Sequence, residues 1–169
     1  MSFNRDAFVL DTFLGPIAFA SIPKCGQHTL AKYQKGMIPH SNLRRFPIRA
    51  AFIREPFDRF LSAFHFSAQT GYIIDGHRIH SYSQFVDIAL NSDDEHVMPQ
   101  CRLIDHDLFA LKISVSIMSD VLSRLTGVEI TVENASRRDN FDASYMKSEV
   151  IERYSEDSKL FSDCLTEVF

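Results

Sequence analysis

Apolar residues recur along the chain in two rhythms. Pro16 to Ile22 is a short, largely apolar run rich in Ala, Phe and Ile, bounded by Gly15 and Pro23. A run this short, closed by turn residues, predicts a buried strand. Ile48 to Arg54 repeats the pattern and predicts a second one. Between them, Gln27 to Lys35 suits a helix that Gly36 would stop. After the second run, Pro56 takes the first position of a helix. Phe57, Phe60, Leu61 and Phe64 then return at helical spacing, an apolar stripe reaching to about Phe66.

Farther on the rhythm loosens. Gly71 to His80 reads as an exposed loop, and Ser81 or Ser83 caps a helix to Leu90. Asn91 to Glu95 breaks that helix, and His96 to Asp107 reads as irregular. Leu108 to Ile113 predicts a short strand, Ser116 to Thr126 a helix stopped by Gly127, and Val128 to Val132 another short strand. Asp142 or Ser144 opens a long charged helical region with a break near Ser155. The alternation of strands and helices predicts one compact α/β domain with a central parallel sheet flanked by helices. Strand order does not follow from the pattern.

Composition narrows the partners. A chain of 169 residues fits one domain with a sizeable core. Its 15 Phe, with no Trp, suit core filling. The net charge of -4 argues against a nucleic-acid partner, yet 18 Lys and Arg leave material for a local basic pocket. Cys25, Cys101 and Cys164 form no CxxC pair, so neither a zinc site nor a disulfide framework is expected. Reduced thiols, an N-terminus without a signal-peptide pattern and no run of about 18 apolar residues predict a soluble, cytoplasmic chain without a membrane span.

Two segments carry chemistry. Ala20-Ser21-Ile22-Pro23-Lys24-Cys25-Gly26-Gln27-His28-Thr29-Leu30 places a Lys and a Gly in the turn between a buried strand and a helix. Such a turn aims backbone N–H groups and a positive helix end at one point, which suits phosphate or sulfate. Lys24 adds a mobile cation and Thr29 a hydroxyl. The same turn also suits an ordinary strand-to-helix connection with a surface Lys. A Walker-type loop is excluded because Lys24 precedes Gly26 and no Gly-Lys pair exists. A cysteine phosphatase is excluded because Ala31 stands where its Arg would follow Cys25. In the second segment, Arg54-Glu55-Pro56-Phe57-Asp58-Arg59-Phe60-Leu61-Ser62-Ala63-Phe64, Arg54 at a strand end can fork onto a phosphate. Ser62 lies about two helical turns on, and Arg59 can pair with Glu55 or Asp58 on the helix surface.

In this order, the two segments resemble the sulfotransferases that use 3′-phosphoadenosine 5′-phosphosulfate (PAPS), especially the carbohydrate (glycan O-) branch. That family carries Pro-Lys-x-Gly-x-x-Ser/Thr-Leu for the 5′-phosphosulfate. It follows with Arg-Asp/Glu-Pro-Phe-x-Arg-x-x-Ser-Ala-Tyr/Phe for the 3′-phosphate. Further echoes are Glu95-His96-Val97-Met98-Pro99-Gln100, Glu133-Asn134-Ala135-Ser136 and Tyr154-Ser155-Glu156-Asp157-Ser158-Lys159-Leu160-Phe161.

The resemblance implies a single P-loop-like sulfotransferase domain over residues 1–169, PAPS as donor and no metal. Lys24, Cys25, Gly26, Gln27, His28, Thr29 and Leu30 would hold the phosphosulfate, and Arg54 and Ser62 the 3′-phosphate. Ser136 and Arg137, with Arg138, either close over the nucleotide or form a polar loop. The acceptor would be a hydroxyl of a glycan or small molecule, and adenosine 3′,5′-bisphosphate the product. Gln27 and His28 depart from the family's small hydroxyl residues. That departure keeps a non-catalytic nucleotide-binding relative in view; a P-loop-type phosphoryl-transfer protein is disfavoured by the missing Gly-Lys-Ser/Thr.

Sulfuryl transfer needs a base for the acceptor hydroxyl, a task suited to His. His40 comes first, on a turn resembling the base-bearing turn of glycan 2-O-sulfotransferases. His28, inside the loop, competes with it, and His96 is a third candidate placed to touch acceptor. Lys24 is the expected catalytic cation. Asp105-His106-Asp107 offers no further ligand set for a metal.

Overall fold

The structure is a computed structural model, and it describes residues 6–132 and 143–167. Its centre is a five-stranded sheet. Strand β1 (Ala7–Thr12) turns back at Gly15 into β2 (Gly15–Ala20). Gly15 takes the positive φ of 92° that the turn needs, and Thr12 Oγ1 donates to its carbonyl at 2.6 Å. Helix α1 (Gln27–Tyr33) follows, then edge strand β3 (Gly36–Ile38) and a 3-10 turn, His40–Arg45. Strand β4 (Arg49–Ile53) leads into helix α2 (Pro56–Thr70), a two-strand hairpin of β5 (Ile73–Ile74) and β6 (His77–Arg78), and helix α3 (Tyr82–Ala89). A 3-10 turn at Gln100–Arg102 precedes β7 (Leu111–Ser114) and helix α4 (Met118–Thr126). Helices α5 (Lys147–Arg153) and α6 (Ser155–Ser162) complete the described chain.

The sheet order is β3-β1-β2-β4-β7. β2 with β4 and β4 with β7 are parallel, whereas β1 is antiparallel to both its neighbours. All strands except β1 therefore run one way. The expected central sheet between helices is present, with β1 as its one reversed member. Leu165 adds a parallel bridge beside β7 at Ile113.

The two sheet faces differ in side-chain size. Ala7, Ala18, Ala20, Ala51 and Ile53 face one core with Leu43, Met98 and Leu103. Phe8, Leu10, Phe19, Phe52 and Ile113 face the other with Leu30, Met118 and Leu122, and the Phe19 and Phe52 rings stack at 5.4 Å. Burial on both faces is why the central strands read as continuous apolar runs rather than as alternation. The α2 stripe packs apart from the sheet, with Phe60 at 4.8 Å from the Phe85 ring and 5.8 Å from that of Tyr154.

Several boundaries move for local reasons. Helix α2 runs past Phe66 to Thr70 because Gly71, at φ 70°, caps it and donates to the Ser67 carbonyl. Gly36 does not stop α1. Gln34 does so by turning extended, and Lys35 N–H then bonds the Val9 carbonyl at 2.7 Å, drawing Gly36 into β3. The loop expected at Gly71 to His80 contains the β5–β6 hairpin. Leu108 and Phe109 close a turn onto the Asp105 carbonyl, so the strand begins at Leu111. No strand forms at Val128 to Val132. There, Ile130 N–H bonds Ser123 Oγ and its carbonyl accepts from Ser119 Oγ, so helix α4 takes the groups a ladder would pair.

Candidate active site

Beyond the end of β2 the chain reverses sharply. Cys25 N–H donates to the Ile22 carbonyl at 3.2 Å, and both Lys24 (φ 66°) and Gly26 (φ 81°) take left-handed backbone. For a residue with a Cβ, such as Lys24, this conformation costs on the order of 1–2 kcal/mol. At Gly26 a Cβ would also run into the Met118 side chain, so the position demands Gly on two counts. Cys25 is buried and its thiol donates to Gln100 Oε1 at 2.9 Å, pinning the turn from below. Gln27 Nε2 donates to Ser21 Oγ at 3.0 Å, tying the turn back to the end of β2. Thr29 and Leu30 are buried, and Leu30 belongs to the second core.

Lys24 reaches out of this turn and rests its ammonium 4.1 Å from the centre of the Phe66 ring. Burial, then the charges of Arg54 and Arg59, push its pKa down from 10.5 to about 8. A cation so placed gains most from an arriving anion.

Arg54 leaves the end of β4, the strand next to β2. Its backbone is held on both sides by one amide: Arg54 N–H donates to Gln100 Oε1 (3.0 Å), and Gln100 Nε2 donates to the Arg54 carbonyl (2.8 Å). Gln100 thus joins the lysine turn to the arginine strand. Buried Asp157 fixes this turn in turn, accepting from Gln100 N–H at 2.7 Å and Cys101 N–H at 2.9 Å. The Tyr154 hydroxyl donates to the Val97 carbonyl. The segments around Gln100 and Tyr154, quoted above only as echoes, are structural clamps that hold the lysine turn and the Arg54 strand end together. Ser62 lies on the buried side of α2.

Arg59 corrects a sequence expectation. It is 1% exposed, buried rather than on the helix surface. Its guanidinium donates instead to the carbonyls of Pro23 (3.1 Å), Met98 (2.7 Å) and Glu95 (2.9 Å). Glu55 caps α2 by accepting from Asp58 N–H. Arg59 is therefore a buried tie between the lysine turn and the segment before Gln100. Arg59→Met would strand these carbonyls, and a loss of about 3 kcal/mol in unfolding free energy is expected by denaturant titration. A loss within the surface range of about 0.5 kcal/mol would contradict the tie.

The histidines separate. His28 is exposed on α1. His40 begins the turn after β3, with Nε2 3.8 Å from Asp105 Oδ2. Ile38, Ala7 and Ala20 lie level across the sheet, so the His40 turn and the lysine turn leave from the same end of it, with β1 between their strands. His96 stands nearer the lysine: its ring stacks on Phe66, and the charge of Lys24 helps lower its pKa. Ser136 and Arg137 lie outside the described residues. Arg59, Gln100, Phe66 and Asp94 were not legible as site residues in sequence; the Arg-x-x-Ser and Pro-Gln spacings were the available signal for the first two.

The Lys24 turn and Arg54 lie beyond the ends of two neighbouring parallel strands, the place where open α/β sheets commonly bind ligands. Comparison with known families adds the class. The sulfotransferase family matches residues 20–162, and the chain belongs to that family, which implies a transferase. Comparisons with curated proteins and with solved structures gave no match.

Proposed function

We propose that the chain moves the sulfuryl group of PAPS to a hydroxyl on a glycan or small molecule, leaving adenosine 3′,5′-bisphosphate. The observation carrying this reading is the Lys24 ammonium, half-buried on a strained turn beside Arg54 and Arg59, where added positive charge is costly until an anion arrives. PAPS would bring to this site an activated sulfuryl group on a phosphate leaving group. Residues Cys25 to Leu30 wrap the phosphosulfate, and Lys24 meets the charge that grows on the bridging oxygen as the S–O bond breaks. Arg54 and Ser62 hold the 3′-phosphate. Lys24, Arg54 and the loop are a chemical fit for a doubly phosphorylated donor.

His40 is the base in this reading, on its resemblance and on its place at the end of the sheet shared with Lys24. His40→Ala is expected to abolish most turnover and remove the acidic limb of the rate profile, with nucleotide affinity unchanged. His28→Ala is the control, because a residue inside the loop should alter nucleotide binding too. Retention of both rate and limb in His40→Ala, with loss of both in His28→Ala, would move the base to His28.

The deciding experiment pairs two measurements on the same protein. Calorimetric binding of adenosine 3′,5′-bisphosphate in preference to ATP separates this reading from a phosphoryl-transfer protein. Transfer of label from [35S]PAPS across an acceptor panel separates it from a non-catalytic relative.

A further inference from the structure

Beside the Lys24 ammonium, three partly buried rings lie against one another. Phe66 and His96 stack with centroids 5.2 Å apart and planes 8° from parallel, and Tyr72 closes on His96 at 4.4 Å. Asp94 sets the orientation of the group. Its Oδ1 accepts from His96 N–H at 2.8 Å and lies 3.1 Å from His96 Nδ1, and its Oδ2 accepts from the Tyr72 hydroxyl at 3.0 Å.

A carboxylate only accepts, so a neutral His96 ring carries its proton at Nδ1 and leaves Nε2 as a bare acceptor. Burial is the largest influence on this ring and lowers its pKa, with Lys24 and Arg59 acting the same way against the opposing pull of Asp94. Burial and the two cations thus favour the neutral ring. Both donors of the cluster, Nδ1–H and the Tyr72 hydroxyl, already serve Asp94. With its donors engaged, the cluster offers a ligand apolar faces and acceptor lone pairs, among them Nε2 of His96, which suits a ligand that donates, an alcohol, and not an anion.

We propose that Nε2 of His96 accepts a hydrogen bond from a hydroxyl of the sulfuryl acceptor, whose apolar face lies against Phe66 and Tyr72. His96 is then a binding and positioning residue, fixed by Asp94, while proton removal falls to His40. This rests on the sulfuryl-transfer reading, because the wall gains its meaning from contact with the lysine that meets the sulfuryl group. It also gives Phe66 two partners in succession: the Lys24 ammonium before the donor arrives, and the acceptor once that ammonium has turned to the phosphosulfate.

The test uses the full chain with [15N]histidine, saturated with adenosine 3′,5′-bisphosphate and titrated separately with methyl β-D-glucopyranoside and with phenol. The expected result is a saturable shift of the His96 Nε2 resonance with at least one probe, its Nδ1–H signal unmoved. Phe66→Ala should weaken that probe roughly tenfold. No saturable shift with either probe, or equal affinity in Phe66→Ala, would overturn the proposal. Loss of turnover in His96→Gln at saturating acceptor, together with loss of the acidic limb, would overturn it in favour of His96 as the base. Failure of the bisphosphate itself to bind strikes the sulfuryl-transfer reading instead, so the two failures are separable.

Discussion

Lys24→Ala is expected to slow sulfuryl transfer at saturating donor by at least about a hundredfold, while adenosine 3′,5′-bisphosphate binds nearly as before. In the proposed reaction the ammonium meets charge that exists fully only as the S–O bond breaks, so its loss should weigh on the transition state more than on the bound product. The same residue sets a pH dependence. Its pKa lies at about 8 in the free protein, so the ammonium is present below that pH and lost above it. kcat/KM, which reports the free enzyme, should therefore fall as pH rises through about 8. In kcat the same limb should move to higher pH, because a bound anion favours the charged amine. Labelled-sulfate assays across pH read both effects. Normal turnover at saturation in the Ala variant would remove Lys24 from the chemistry.

Arg54→Ala should weaken adenosine 3′,5′-bisphosphate by about 2–3 kcal/mol, which is roughly 30- to 150-fold, and leave adenosine 5′-phosphate almost untouched. The contrast follows from how Arg54 is held. Gln100 grips its backbone on both sides, so removing the side chain leaves the clamp in place and takes away only the guanidinium. Calorimetry with the two nucleotides checks this. Equal losses for both would assign Arg54 to the fold, or to another part of the ligand.

The features legible in sequence are those decided locally. The buried runs at Pro16 to Ile22 and Ile48 to Arg54 became β2 and β4, and the turn residues between Pro23 and Gly26 marked the reversal that carries Lys24. Features decided by distant partners escaped. Arg59 was assigned by helical neighbour spacing, yet its carbonyl partners Met98 and Glu95 come from a separate segment. Gln100 stood inside a matching motif, but its hold on Cys25 and Arg54 exists only after the chain has closed. Val128 to Val132 has the residues of a strand, and lost that state to two serine hydroxyls on α4. Strand β1 gave no expectation in the pattern, because its value lies in covering the edge of β2 rather than in its own turn or cap signals.

The ties made by Arg59, Gln100 and Asp157 have a thermodynamic consequence. They join a turn near Pro23, a strand end at Arg54, the segment from Glu95 to Cys101 and a helix at Asp157. If the nucleotide binds as proposed, its contacts come from more than one of these segments, so a partly unfolded chain should bind it poorly. Binding energy is then linked entirely to the native state: at a hundred times its Kd, a ligand of this site adds about 2.7 kcal/mol to the free energy of unfolding. A melting curve thus reports occupancy of the anion site before any acceptor is identified. In that reading, a variant that loosens one of these ties should lose ligand-dependent stabilisation as well as intrinsic stability.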